Sequence, residues 1–261
     1  MDLIEARERA FDTVARHPWE LARLDVVREL IARHLQLPAG TAVLDIGCGD
    51  TFVAERLAVE YPHLWWYAVD TAFTDDILQM YRARFTTPNI SAVASLDDIE
   101  LHSDTSVGLV VLMDVLEHVP DDTGFLAGLL SRPELRADAA VLVTVPAYAS
   151  LFCAHDEVLG HHRRYSRAQL RHLLRRSGLA VVESGYFFSS LLPMRMLQVV
   201  KERLLNRRDA TTGLVTWRGG SVVTRLLQRA LLTDARAGMF MARRGLPLPG
   251  LSGYALCRKS A

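Results

Sequence analysis

Cysteine is scarce in this chain of 261 residues: there are three, Cys48, Cys153 and Cys257, far apart and odd in number. No CxxC pair is present, which excludes a disulfide framework and a zinc ribbon as readings. Net charge is also missing. Thirty Lys+Arg balance thirty Asp+Glu, so the whole chain carries no nucleic-acid footprint and no nucleic-acid partner is expected. No apolar run reaches the roughly 18 residues of a membrane-spanning helix. The opening MDLIEARERA is charged and lacks the apolar centre of a signal peptide, so a cytoplasmic location is the expectation. Half of the residues are hydrophobic, enough to bury the core of one large α/β domain with additions.

The most informative segment is AVLDIGCGD, residues 42–50. An apolar strand runs into Asp45, then Gly47-Cys48-Gly49, then a helix expected over 51–58. Glycines at a strand-to-helix turn let a ligand approach the backbone. The free N–H groups of the helix start favour an anionic or polar ligand group. Twenty-one residues past Gly49, Asp70 ends a second strand expected over 63–69, where an acid can accept hydrogen bonds from a ribose. This reads as a nucleoside-binding βαβ unit. The plainer reading is a tight turn, with Asp70 as a helix cap in any open α/β sheet.

Further along, the apolar face of Leu24, Val27, Ile31 and Leu35 predicts a helix over 20–35, after a charged helix over 1–16 that Pro18 interrupts. A helix over 74–85 and strands over 90–94, 107–113 and 139–145 follow, the last two apolar throughout, as buried parallel strands are. Ser166-Arg167-Ala168-Gln169 is a capping-box pattern that opens a helix ending at Gly178. A strand over 179–188 comes next, and 251–256 is the last. Strands alternating with helices predict a parallel sheet covered on both faces. The tail differs. Residues 187–205 are apolar with scattered charge, 206–220 are polar and loop-like, and 221–232 form an amphipathic helix with Arg225 and Arg229 opposite its apolar side. From Arg195 to Arg244 there are eleven basic residues against three acidic. Two readings stay open for 187–245: a helical cap, or a helix pair in peripheral contact with a membrane surface.

The glycine turn, Asp70 and the segment Met113-Asp114-Val115-Leu116-Glu117-His118-Val119-Pro120 together resemble class I S-adenosylmethionine-dependent methyltransferases. His17-Pro18-Trp19 with Arg23, then Val145-Pro146-Ala147-Tyr148, His155-Asp156 and Gly160-His161-His162-Arg163-Arg164-Tyr165-Ser166, resemble a subgroup acting on small-molecule and glycan-linked acceptors. The resemblance implies a Rossmann-like α/β fold: a seven-stranded, mostly parallel sheet, its last strand reversed, with helices on both faces and an added helical cap. It divides the chain into a helical lid (1–40), an S-adenosylmethionine-binding domain (41–190), a cap (191–248) and the last strand (249–261). Carried over by motif, Asp45, Gly47, Cys48 and Gly49 lie at the methionine end of the cofactor. Asp70 and Thr71 lie at its ribose, Ser95 and Leu96 at its adenine, and Met113 and Asp114 between cofactor and acceptor. The sequence departs from the family pattern in four places. Thr51 stands near an expected third glycine, Gly108 near an expected acid, Arg136-Ala137-Asp138-Ala139 replaces a Pro-Gly-Gly turn, and Ser95-Leu96 replaces an Asp-Ala pair.

Methyl transfer from a sulfonium needs binding, alignment and desolvation, and a hydroxyl or amine acceptor also needs a base near pH 7. Histidine suits that role. His118, which alternatively caps a helix, and His155 are the candidates. The acceptor side implied by the resemblance holds Trp19, Arg23, His161, His162, Arg163, Arg164 and Tyr165. Trp19 is either a lid or a helix anchor. Arg163 and Arg164 clamp an acceptor phosphate or carboxylate, or pin the loop by pairing with Glu117 or Asp156. Tyr165 is a packing residue rather than a catalyst, and Cys48 is a small turn residue rather than a reactive thiol. Asp156, His161 and His162 are conceivable metal ligands, but their spacing matches no zinc pattern and no metal is expected. The competing function classes are a nicotinamide-dependent oxidoreductase, which requires a glycine where Phe52 stands, and a non-catalytic cofactor-binding protein.

Overall fold

The computed structural model describes residues 16–102, 104–205 and 217–260. The charged helix expected over 1–16 and most of the loop expected over 206–220 therefore lie outside the described residues.

Seven strands form one sheet in the order β3-β2-β1-β4-β5-β7-β6. They are β1 (Ala42–Ile46), β2 (Trp65–Val69), β3 (Ile90–Val93), β4 (Val107–Met113), β5 (Leu135–Pro146), β6 (Leu179–Phe187) and β7 (Ser252–Lys259). Only β7 runs against its neighbours β5 and β6; the other pairings are parallel. The helices are α1 (Pro18–His34), α2 (Phe52–Glu60), α3 (Asp75–Arg84), α4 (Asp122–Leu130), α5 (Ala154–Val158), α6 (Arg167–Arg176), α7 (Leu192–Leu205) and α8 (Ser221–Arg243). The expected seven-stranded, Rossmann-like sheet is what forms.

Strand residues alternate between two cores, as the two-residue repeat of a strand requires. Val43, Trp66, Leu109, Val111 and Leu142 face one layer with residues of α1, α2 and α8. Leu44, Tyr67, Val110, Leu112 and Val143 face the other with residues of α4 and α6. Burial on both faces explains why β4 and β5 read as unbroken apolar runs.

The helix expected over 20–35 begins at Pro18, which occupies the first position of α1, where a missing N–H costs nothing. His17 caps that helix, its Nδ1 accepting from Trp19 N–H at 3.3 Å while Glu20 Oε2 accepts from His17 N–H at 2.9 Å. The last helix runs to Arg243 rather than 232, because the small residues Ala235, Gly238 and Ala242, with Met239, line up at helical spacing and bury its second half. Strand β5 begins at Leu135 rather than 139 and so takes in the whole segment that replaces the Pro-Gly-Gly turn, where Arg136 pairs with Asp138 through Nε–Oδ1 and a second nitrogen, both at 2.9 Å.

The other departures from the family pattern have local causes. A Cβ on Gly108 would sit 2.5 Å from Thr41 Cγ2, leaving no room for an acid. Thr51 adopts the left-handed conformation a glycine would take, at φ +62°. That costs a residue with a Cβ on the order of 1–2 kcal/mol. Its buried hydroxyl offsets part of this, donating to Asp50 O at 2.7 Å and accepting from Arg84 at 2.8 Å.

Among the described residues no helix is long and apolar enough to cross a membrane. Of α7, only Val199 is buried, while Leu197, Val200 and Leu204 stand exposed, as do Val223 and Leu226 on the first half of α8.

Candidate active site

The carboxyl ends of the parallel strands open into a cavity of about 900 Å³. This is where an open α/β sheet gathers its loops and binds ligands. On one side is the turn after β1. Gly47 and Gly49 both have positive φ, +67° and +59°, and both line the cavity. A Cβ on Gly47 would meet Val115 Cγ2 at 2.6 Å. Asp70 braces this turn: its Oδ2 accepts from Gly49 N–H and its Oδ1 from Ala72 N–H, both at 3.0 Å. Its carboxylate lines the cavity at the end of β2, where an acid can accept from a hydroxyl pair such as a ribose diol. Thr71, Ser95, Leu96, Met113 and Asp114 continue the same wall.

Asp45, directly before Ile46 and Gly47 of that wall, is buried, and neither of its oxygens has a hydrogen-bond partner among the described residues. Burial raises its pKa to about 7, with Asp70 and Asp50 adding to the rise. A buried carboxyl with two orphaned oxygens beside a glycine turn suits an ammonium ligand, the group at the methionine end of the cofactor. Cys48 is buried and does not line the cavity, and burial pushes its thiol pKa well up, so it offers no thiolate.

Helix α1 and the end of β4 meet across the opening. Arg23 lies 2.7 Å from Asp114 Oδ2 and its guanidinium stands 5.0 Å over the Trp19 ring. Thr144 Oγ1 donates to Asp114 Oδ1 at 3.2 Å, fixing the residue at φ +53°. Trp19 and Arg23 thus form part of the cavity wall and anchor α1 to it.

The opposite wall is built from three segments distant in sequence: the 3-10 turn Leu116–His118 after β4, the stretch 155–164 after β5, and α7. Asp156, with no exposed side-chain surface, is its hub. It accepts from Cys153 N–H at 3.0 Å, Arg164 Nε at 2.8 Å and Arg195 at 3.1 Å, and pairs with His161 Nδ1 at 2.8 Å. Burial opposes its ionisation, but the His161 hydrogen bond and the two guanidinium groups hold its carboxyl well below the usual range. The rings of His118 and His161 meet edge to face at 4.7 Å between centroids. Glu117, beside them, is fully buried, and neither carboxyl oxygen has a partner among the described residues. Burial, reinforced by Asp114, pushes its pKa well up. His155 also lines the cavity, and burial followed by the charge of Arg195 lowers its pKa, leaving a neutral imidazole at pH 7.

Three expected acceptor residues lie elsewhere. Arg163 is not part of the cavity wall; it donates to Asp122 Oδ2 at 3.0 Å and to Pro120 O at 2.6 Å, not to Glu117 or Asp156. Tyr165 packs as expected, its hydroxyl within hydrogen-bond distance of two acceptors, Leu116 O at 3.0 Å and Asp122 Oδ2 at 2.8 Å. His162 is exposed and off the cavity wall. Arg164 does pin the loop through Asp156, and it lines the cavity as well. Conversely, Asp97, Arg132, Arg195 and Gln198 line the cavity but were not expected there. Arg132 holds the loop after β3, reaching Asp97 at 2.7 Å and Leu96 O at 2.9 Å. The signal for Arg195 was an isolated arginine inside the apolar stretch LLPMRMLQVV, with Gln198 three residues on, on the same helix face.

Comparisons with known proteins agree with this geometry. Residues 19–184, more than half of the chain, match the methyltransferase domain family. A ubiquinone biosynthesis O-methyltransferase of Xanthomonas axonopodis pv. citri is 28% identical over 184 residues, covering 64% of this chain and 75% of that protein. An S-adenosylmethionine-dependent methyltransferase from Mesorhizobium loti has the same fold, with a TM-score of 0.53 at 14% identity, covering 91% of this chain and 97% of that one. So does coclaurine N-methyltransferase bound to N-methylheliamine and S-adenosylhomocysteine, with a TM-score of 0.55 at 15% identity, covering 92% and 72%. The nicotinamide-dependent alternative finds no support beside these. The chain belongs to the methyltransferase domain family and is an S-adenosylmethionine-dependent methyltransferase.

Proposed function

We propose that the protein methylates a hydroxyl group of a small acceptor held against the wall of histidines. The observation that carries this reading is the single cavity that joins the braced glycine turn to His118, His155 and His161. When bound, the cofactor supplies the activated methyl carbon. Asp45 receives its ammonium, Gly47 and Gly49 its backbone-facing side, Asp70 and Thr71 its ribose, and Ser95 and Leu96 its adenine. Met113 and Asp114 separate cofactor from acceptor. His155 takes the hydroxyl proton, because its neutral ring can accept one at pH 7. The relatives named for O-methylation support oxygen as the methylated atom. Incubating the protein with methyl-labelled cofactor and a panel of phenols, alcohols and amines tests the reading. Label transferred to hydroxyl compounds supports it, and label only on amines or carbon overturns the choice of oxygen.

A lipid- or glycan-linked acceptor is the finer reading, and one observation favours it. Helix α7 supplies Met194, Arg195 and Gln198 to the cavity wall while exposing Leu197, Val200 and Leu204. The exposed apolar residues lie among basic ones, Lys201 and Arg203 on α7 and Arg225 and Arg229 on α8. That is the composition of a helix pair resting on an anionic membrane surface. A peripheral contact there brings the cavity to a membrane-borne acceptor. Flotation with anionic vesicles tests it: cosedimentation lost in Leu197→Asp/Leu226→Asp supports the contact, and protein remaining wholly in the aqueous fraction removes it.

A further inference from the structure

We propose that Glu117, His118 and His161 bind a divalent first-row transition ion such as Zn²⁺, with one coordination position left open toward the acceptor. One carboxylate oxygen and one ring nitrogen from each histidine all lie within 4.8 Å of one another. Zinc bonds of about 2.0–2.1 Å put tetrahedral ligand atoms about 3.4 Å apart, so closure takes side-chain rotations of about 1 Å. Two imidazoles with one carboxylate suit zinc and its neighbours rather than magnesium or calcium. Three protein ligands leave the fourth position for a substrate, the arrangement of a catalytic rather than a structural site.

The surroundings are built for this. His162 N–H donates to Glu117 O at 2.7 Å, tying the loop that carries His161 to the turn that carries Glu117 and His118. His161 N–H donates to Asp156 O at 2.9 Å, so the backbone on both sides of the ligand is fixed. The ring is fixed as well. Asp156 Oδ1 lies 2.8 Å from Nδ1 and occupies that nitrogen, so Nε2 is the ring atom placed to serve as a ligand. A carboxylate behind a histidine is the outer support typical of metal sites. Glu117 adds the independent observation: a fully buried carboxyl with both oxygens lacking a partner among the described residues. Such groups are rare in folded proteins, and a bound cation satisfies them. The ligand set differs from the one conceivable from sequence, because Asp156 is committed to two arginines and His162 turns to solvent.

The ion's chemistry rests on the methyltransferase reading; its binding does not. An acceptor hydroxyl on the open position becomes more acidic. Its proton passes to His155. The acceptor oxygen then forms a bond to the methyl carbon as the carbon–sulfur bond breaks, sulfur keeping the electron pair. A sulfonium and an alkoxide become a neutral thioether and a neutral ether. His118 is a ligand in this scheme, and His155 alone is the base.

The test is a titration of the full chain, stripped with chelator, with Co²⁺, whose visible absorption reports coordination by nitrogen and oxygen. One equivalent should saturate the protein. Glu117→Gln and His161→Ala should each weaken binding tenfold or more, and His162→Ala should leave it unchanged. The same samples are titrated with S-adenosylhomocysteine; retained binding shows that the variants are folded and that the cofactor pocket stands apart from the metal result. Wild-type affinity for Co²⁺ no greater than that of Glu117→Gln or His161→Ala overturns the site, as does an equal loss in His162→Ala.

Discussion

Removing the carboxylate of Asp156 should destabilise the protein by about 3–5 kcal/mol, the usual cost of breaking a buried ion pair by deleting one partner. The structure sets this range. Asp156 has no exposed side-chain surface, and its partners Arg164 and Arg195 are 5% and 10% exposed. In Asp156→Ala, Arg164 retains a hydrogen bond to Ala147 O and Arg195 one to Gln198, but both lose the buried carboxylate they share. Two guanidinium groups then share one pocket. Asp156→Asn, which keeps the shape and one acceptor oxygen, should fall between wild type and alanine. Urea unfolding followed by circular dichroism at pH 7 reads the difference. The triple variant Asp156→Leu/Arg164→Met/Arg195→Met should recover most of the loss, since apolar replacement of a whole buried pair is close to neutral. A loss under about 1 kcal/mol for Asp156→Ala, the range of exposed pairs, would refute the reasoning.

Three further outcomes follow from the site. Asp70→Ala should lower S-adenosylhomocysteine affinity at least tenfold by calorimetry, since hydrogen bonds to a charged group are worth about 1.5–3 kcal/mol each; unchanged affinity would remove Asp70 from the site. Gly47→Ala should lose cofactor binding, because its Cβ meets Val115 Cγ2 at 2.6 Å in a conformation that alanine disfavours, and Val115→Ala should restore part of it. Asp45 gives a pH dependence. Its folded pKa of about 7 lies above its unfolded value of about 3.9, so between these values the folded state binds the extra proton. The stability it contributes is full below about pH 4 and is lost as pH rises through about 7. Chemical unfolding at pH 5 and pH 8 should show a gap that narrows in Asp45→Asn; the same gap in the variant would count against the assignment.

The sheet was legible because burial writes itself into strands: β4 and β5 have apolar neighbours on both faces, and the glycine turn follows β1 directly. The second half of α8 was not, because it buries alanine, glycine and methionine, whose small side chains carry little hydrophobic signal at any period. The cavity wall around Asp156 was legible only as a set of residue types. Arg163, Arg164 and Tyr165 are consecutive on extended backbone, where side chains alternate in direction. Arg163 and Tyr165 therefore both reach Asp122 while Arg164 turns to Asp156. Of the two readings of the arginine pair, the loop pin is what Arg164 forms, while Arg163 makes an opposed contact of its own. Asp156 itself gathers partners 5, 8 and 39 residues away, pairings that only the packing of α7 against the loop after β5 establishes. Conversely, the glycine missing at Thr51 changes little in the fold, because a hydroxyl network holds the same backbone conformation.

The central claim is that the cavity takes a sulfonium nucleoside and not a nicotinamide. Calorimetric titration of the purified chain with S-adenosylmethionine, S-adenosylhomocysteine and NADH tests it most directly. Saturable binding of the first two at one per chain, with no heat from NADH, is the predicted result. Binding of NADH, or no binding of S-adenosylhomocysteine, would contradict it.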